Sequence, residues 1–301
     1  MIKNHLHNES KMYHNVNIMK LYNLDRIKDS EILQLLILHH LYGLKESNLI
    51  YFQGGTAIRW CYNGGRFSED LDFTTTLGKD SLMSLVETII PQLKRTIMAH
   101  FGPGLFEFKW KTGLKKTTNI ADFRFLPEGK RRKIYVKSEF EELKEGIFPD
   151  TEKFIFNLLP SVRTFIDNGL FRIPYSSTVL IVQTKEEIFS DKIRALLERR
   201  YLKGRDFYDL WFLYSNGTTC TVSNLKRKLK MYKSQFIMRR KVDFFIKPDK
   251  KAKKEILDAL RNDLSRFLSP EEFNFHLNRG FKDIFEVLKR VFRKIKESID
   301  E

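Results

Sequence analysis

Leu49-Ile50-Tyr51-Phe52 is a short apolar run that stops at the pair Gly54-Gly55, and the stretch from Thr56 to Tyr62 has helical composition. The order strand, tight turn, helix constrains the fold strongly. Free amides at the start of such a helix point at an anion. Gly54 and Gly55 lack a Cβ, which permits positive φ and lets a phosphate come close to the main chain, and Thr56 adds a hydroxyl donor. Asn63-Gly64-Gly65 then turns the chain back into Asp70-Leu71-Asp72-Phe73-Thr74-Thr75-Thr76, read as a strand with Asp70 and Asp72 on one face. Two such carboxylates repel unless a cation lies between them. Hard oxygen donors suit Mg²⁺, which shares its shell with substrate phosphates. A Gly-Gly-Thr turn or an Asp-x-Asp pair is weak alone; together, in this order, they indicate a phosphate and metal site.

A pair of Mg²⁺ ions needs more negative charge than one Asp pair supplies, so a third carboxylate from a neighbouring strand is expected. Three strand-like segments follow the helical spacing of Ser81 to His100: Leu105 to Lys111, Thr118 to Leu126 and Lys133 to Phe140. They suggest an antiparallel continuation of the sheet. In the third, Tyr135, Lys137 and Glu139 share a face, so Glu139 is the candidate, with Lys137 placing a cation toward a triphosphate. Asp122, flanked by Ile120 and Arg124, is the rival. Thr178 to Val182 reads as a further strand.

After Gln183 the composition changes. Thr184 caps a helix with Glu187 three residues on, and Lys203-Gly204 is read as its end. The next helix carries Arg205, Asp206 and Asp209 on one polar side, and a helix-to-helix ion pair of Lys192 with Asp206 or Asp209 is one reading of these residues. The segments from Ser223, Lys250, Pro270 and Phe281 onward are all helix-patterned, with Ser269 a clear cap. The expected organisation is a sheet-bearing part over residues 1–183, with a polar lead-in over 1–29 and a helix from about Ser30, and a basic helical part over 184–301.

Charge is the second strong signal. The chain carries a net charge of +16, and from Lys185 to the end 29 Lys and Arg stand against 18 Asp and Glu. Lys226 to Lys241 holds eight basic residues and no acid. A polyanion is the expected partner, since neutralised phosphates release counterions. Tyr232, Phe236 and Met238 are interleaved with these charges; they either stack on bases or face the core. The two cysteines, Cys61 and Cys220, have no companion at metal spacing, and no apolar run is long enough for a membrane span. A cytoplasmic protein without membrane contact is expected.

Gly54-Gly55-Thr56-Ala57, the segment Arg66-x-Ser68-x-Asp70-Leu71-Asp72-Phe73, Asp191-Lys192-Ile193-x-Ala195-Leu196 and Arg205-Asp206-x-x-Asp209-Leu210 resemble the AbiEii family, which includes the MenT-like toxins of type IV toxin–antitoxin and abortive-infection systems. The matching motifs span roughly residues 45–215, with nothing to match after about 220. The resemblance implies an α+β (mixed) fold, with a polymerase-β-like nucleotidyltransferase sheet, flanking helices and a C-terminal helical bundle. It implies an enzyme that uses Mg²⁺ and a nucleoside triphosphate, transfers a nucleoside monophosphate to RNA, most naturally tRNA, blocks translation and is restrained by an antitoxin. Catalytic roles then fall to Asp70, Asp72, Lys192 and Asp209, metal binding to Asp70, Asp72 and Glu139, and nucleotide binding to Gly54, Gly55, Thr56, Arg59, Ser68, Lys137, Arg205 and Asp206. The division of labour between Asp206 and Asp209 stays open. The competing readings are a nucleotide-sensing or RNA-binding module without transfer, and transfer to a protein.

Overall fold

The computed structural model describes residues 23–113, 117–173 and 178–300. Most of the polar lead-in lies outside these residues. Helix α1 (Leu24–Leu41) starts well before Ser30, because the Asn23 side chain accepts the Arg26 amide at 2.8 Å and caps it. Strand β1 (Ile50–Gln53), helix α2 (Gly54–Cys61) and strand β2 (Leu71–Thr75) follow in the expected order. Helix α3 (Lys79–Phe101) runs without interruption through Pro91.

Strands β3 (Gly104–Thr112), β4 (Thr118–Pro127) and β5 (Ile134–Glu142) pair antiparallel, as their patterning suggests. Strand β6 (Thr151–Ile155) and helix α4 (Pro160–Asp167) escape the sequence reading. β6 is an edge strand with mostly exposed side chains, so it carries no apolar period. Strand β7 (Val179–Gln183) completes a seven-stranded sheet of order β3-β4-β5-β2-β1-β7-β6. β2 pairs parallel with β5 and β1 parallel with β7, while the other neighbours are antiparallel, so the sheet is mixed and the fold α+β.

The pleat gives the sheet two unlike faces. On one, Phe73 stands between Phe52 and Phe140, with ring centroids 5.3 and 4.9 Å away, and all three are buried in one apolar cluster with the inner faces of α1 and α3. The opposite face is polar. Register sets Gln53, Asp72, Glu139 and Ile120 side by side across β1, β2, β5 and β4.

Among the described residues every named element after β7 is a helix, and an isolated bridge joins Leu143 to Tyr232. The elements are α5 (Lys185–Glu198), α6 (Gly204–Ser215), α7 (Val222–Met231), the short α8 (Asp243–Ile246), α9 (Lys250–Phe267), α10 (Pro270–Asn278) and α11 (Lys282–Asp300). Thr184 and Ser269 cap α5 and α10 by accepting the amides of Glu187 and Glu272. The return half of each capping box is spent elsewhere. The Glu187 carboxylate binds Lys228, and that of Glu272 accepts the Tyr208 hydroxyl. Gly204 does not end α5, which stops at Glu198; it opens α6, where an added Cβ would lie 2.3 Å from the Ala259 carbonyl oxygen of α9. Only a residue without a side chain lets α6 and α9 approach this closely. Ile193, Leu264 and Phe292 of the helices share the buried cluster with Leu36 and Phe73 of the sheet side. Gly204→Ala is expected to push α6 from α9 and cost about 1–3 kcal/mol, read as a lowered urea midpoint.

Candidate active site

The turn between β1 and α2 is built around its neighbours. Gly54 has φ +79°, and a Cβ there would meet Asp72 Oδ2 at 2.4 Å. Glycine therefore serves twice at this position, by conformation and by leaving space for the carboxylate. Gly55 has no positive φ; its missing Cβ makes room for the Arg66 guanidinium, whose nearest nitrogen would be 2.0 Å away. The Thr56 hydroxyl donates to the Asp70 carbonyl, so it fixes the start of β2 and does not point outward as a free donor.

Asp70 and Asp72 lie at that start, half-buried, with Glu139 directly beside Asp72 on the parallel strand. The Lys137 ammonium lies 3.4 Å from Asp70 Oδ2 and 2.6 Å from Glu139 Oε1. Burial raises the Asp72 carboxyl, the like charges of Glu139 and Asp70 raise it further, and Lys192 and Arg199 offset only part, leaving it at about 6. Asp122, the rival of Glu139, is committed elsewhere. It accepts Tyr135 Oη at 2.8 Å, pairs with Lys111 and Arg124, and sits opposite Lys137, a step along β5 from Glu139. Burial would raise the Asp122 carboxyl, but its bonds to Lys111 and Tyr135 hold it below the usual range. Among the described residues no three acidic, His or Cys side chains form a ready-made metal cage. The donor set Asp70, Asp72 and Glu139, crowded enough to raise one carboxyl, still has the chemistry that a hard divalent cation relieves.

Across from the carboxylates lies a buried cluster of charge. Asp209 accepts a two-pronged contact from Arg66, 2.5 Å to Nε and 2.7 Å to Nη2, and Lys192 Nζ approaches its Oδ2 at 2.7 Å. Asp206 is held by Lys192 at 3.3 Å and by Arg199. Lys192 thus bridges both acids of α6, and the polar side of that helix is turned inward. Burial opposes ionisation of Asp206, but Arg199, Lys192 and Lys203 prevail and hold it at about 2. Burial likewise opposes, and Arg66 and Lys192 outweigh, at Asp209, which is held below the usual carboxylate range. Lys203 has no carboxylate at ion-pair distance among the described residues. Burial, with Arg199 and Arg205 nearby, holds it below the usual lysine range. Arg66, Lys192, Arg199 and Lys203 exceed the two acids, so the cluster keeps a net positive charge next to Asp72.

Several sequence-selected residues have other surroundings. Arg59 binds Glu31 of α1 at 2.9 Å and turns away from the carboxylates. The buried Ser68 gives its carbonyl to Gln34 at 2.6 Å, and its hydroxyl lies under Gly55. Arg205 lies over the Phe267 ring, 4.7 Å from its centroid. Sequence reasoning passed over Arg66, Arg199 and Lys203; Arg66 opens the segment that carries the two aspartates, which was the available signal. Asp191 of the Asp-Lys motif binds Tyr232 Oη at 2.6 Å and Lys228 at 2.9 Å, tying α5 to α7.

The basic run is partly spent inside the fold. Lys228 is fully buried against Glu187 and Asp191, Arg227 pairs with Asp150 and Glu187, and Lys233 with Glu142. Tyr232 is buried under the Arg194 guanidinium, so it cannot stack on a base; Phe236 is half-buried and Met238 exposed. Lys226 and Lys230 pair with no carboxylate among the described residues. With Lys144, Lys233 and Phe236 they line a cleft of about 380 Å³.

Arg66→Ala would leave Asp209 buried against Lys192 alone, and a loss of about 3–5 kcal/mol is expected in chemical denaturation, with Arg66→Lys recovering only part because it lacks the fork. The ordinary Asp value of 3.8 and the folded value of about 2 for Asp206 mean that its contribution is present above pH 3.8 and is lost as pH falls toward 2. Acid titration of the unfolding free energy checks this.

The family model described as "Nucleotidyl transferase AbiEii toxin, Type IV TA system" matches residues 37–289. That reaches well past the last legible motif, into the helices beyond residue 220. Among solved structures, a protein from H. pylori provisionally named a nucleotidyltransferase aligns with a TM-score of 0.51 at 17% identity, over 91% of this chain and 98% of that one. JHP933 from Helicobacter pylori aligns with a TM-score of 0.49 at 15% identity, over 93% of this chain and 97% of that one. At such identity the first likeness is one of fold. No curated protein matches the chain. The family match, spanning both the sheet with its carboxylate row and the helices with their buried cations, makes this chain a member of the AbiEii nucleotidyl transferase toxin family of type IV toxin–antitoxin systems.

Proposed function

We propose that the chain transfers a nucleoside monophosphate from a nucleoside triphosphate to RNA, with tRNA the natural acceptor, and that it acts as a toxin that stops translation until an antitoxin restrains it. The observation that carries this reading is the side-by-side placement of Asp72 and Glu139 opposite a cluster in which cations outnumber acids. The sheet-bearing part, to residue 183, supplies the carboxylates, and the helical part, from 184, supplies most of the cations. The cleft of Lys144, Lys226, Lys230 and Lys233 supports a polyanionic acceptor over a protein. No helix among the described residues is long and apolar enough to cross a membrane, and a cytoplasmic site of action is part of the proposal.

Asp70, Asp72 and Glu139 are the residues that would hold Mg²⁺, which when bound lowers the pKa of the attacking hydroxyl and screens the leaving pyrophosphate. The amides at the start of α2, with Lys203 and the positive surplus around Lys192 and Arg199, grip the triphosphate. Lys137, between Asp70 and Glu139, gives way to the substrate and turns its charge to a phosphate. The acceptor oxygen forms a bond to the α-phosphorus as the bond to the bridging oxygen breaks, and pyrophosphate leaves with that electron pair. The Glu139 oxygen not engaged by Lys137 takes the hydroxyl proton. Arg66 and Asp209 act as positioning residues, holding Gly55 and Lys192 in place.

Pure protein incubated with Mg²⁺, each of four labelled nucleoside triphosphates and total tRNA should label RNA with one of them, and Asp72→Ala should reduce the label at least ~100-fold. Label on a polypeptide, on nothing, or undiminished in the variant would sink the proposal. A second measurement addresses Asp72 by its titration. Its folded value of about 6 lies above the ordinary 3.8, so this group favours folding below pH 3.8 and that contribution is lost as pH rises through 6. Asp72→Asn in metal-free protein should therefore raise the thermal midpoint at pH 8, on the order of 2–4 °C, with the gain shrinking toward pH 4.

A further inference from the structure

The linker from α5 to α6 has an unusual division between inward and outward side chains. Arg199 turns in to Asp206, Leu202 packs against the core and Lys203 is half-buried. Between them Tyr201 is 71% exposed, the most exposed of the large apolar and aromatic residues described. It is not a floppy end. The amides of Arg239 and Arg240 both donate to the Leu197 carbonyl, at 2.9 and 3.0 Å, and the Arg240 guanidinium binds the carbonyls of Arg199 and Arg200. The last part of the basic run is thereby stapled along the end of α5 and the linker. Ile237 and Met238, 53% and 50% exposed, lie on that segment, and Arg200 sits 5.2 Å from the centroid of the Tyr201 ring. Arg239 and Lys241 are exposed and pair with no carboxylate among the described residues.

A lone exposed aromatic needs no explanation. An exposed aromatic on a linker whose backbone is tied to a segment bearing exposed apolar side chains and unpaired cations, two residues from Arg199 and two from Lys203, matches what single-stranded nucleic acid requires: a face for a base and a row of charge for its backbone. Resting on the transferase reading above, we propose that the rim formed by Tyr201, Arg200, Met238, Arg239 and Lys241 receives the single-stranded end of the RNA acceptor, with an unpaired base stacked on Tyr201 and the backbone following Arg239 and Lys241. A duplex hides its base faces and would gain only from the charges. A single nucleoside triphosphate is too short to use the whole rim.

The test is fluorescence anisotropy of a labelled 12-nucleotide single-stranded RNA, without nucleotide or metal, on wild type, Tyr201→Ala, Tyr201→Phe and the pair Arg239→Ala/Lys241→Ala. Tyr201→Ala should weaken binding about 10-fold and Tyr201→Phe hardly at all, while binding of a blunt duplex of the same length should not respond to either. The double variant should flatten the dependence of log Kd on log salt by about 1.4, the loss of two phosphate contacts on a single strand. In the transfer assay Tyr201→Ala should raise KM for RNA and leave KM for the triphosphate unchanged. Because Tyr201 is exposed, its thermal midpoint should match wild type, which separates lost contact from lost fold. Wild type that binds no single-stranded RNA, binding indifferent to Tyr201→Ala, or a rise in KM for the triphosphate alone would overturn the rim. Tyr201-dependent RNA binding without any nucleotide transfer would keep the rim and remove the transferase reading.

Discussion

The arrangement depends first on one buried knot of charge, in which Arg66 grips Asp209, Lys192 bridges Asp209 and Asp206, and Arg199 closes on Asp206. Such a knot adds little net stability over an apolar equivalent, but a lost member leaves a stranded charge. Its value lies in what it fixes. Arg66 belongs to the loop before β2, Lys192 to α5, and the two acids to α6, so sheet and helices can be joined in only one register. Gly55 exists as glycine because the Arg66 guanidinium fills the space of its side chain. The glycine turn before α2 and the helical part are therefore two ends of one electrostatic contact.

The second constraint is the parallel pairing of β2 with β5. A slip of one residue would turn Glu139 to the apolar face with Phe140 and separate it from Asp72. The stack of Phe52, Phe73 and Phe140 beneath the sheet forbids that slip, since it would expose three buried rings. Apolar packing on one face thus holds mutually repelling carboxylates on the other. The raised Asp72 carboxyl records the cost of that crowding, and the nearby positive cluster limits it.

Local patterns carried much of this. The turn at Gly54-Gly55, both aspartates, the three antiparallel strands and the helix caps at Thr184 and Ser269 depend on neighbours in sequence, and so could be read there. β6 could not, because an exposed edge strand has no apolar alternation, and the end of α5 was misplaced because Gly204 is a glycine for the sake of α9 rather than as a helix terminator. Proximity to motifs singled out Arg59 and Ser68; the structure brings the Arg59 side chain to Glu31, and gives the Ser68 carbonyl to Gln34 while its hydroxyl lies under Gly55.

The sequence by itself determined the chemistry available: a glycine turn at a helix start, a pair of carboxylates, a surplus of cations in the last third. These follow from residue type and short-range spacing. Only the tertiary structure decided which partners meet. It chose Glu139 over Asp122 as the neighbour of Asp72, turned Asp206 and Asp209 inward to Lys192 and Arg66, buried Lys228 and Tyr232 while leaving Tyr201 in solvent, and brought Lys203 beside the carboxylates. Those choices rest on strand register and on the balance of buried charge between segments far apart in the chain, and no local pattern encodes either.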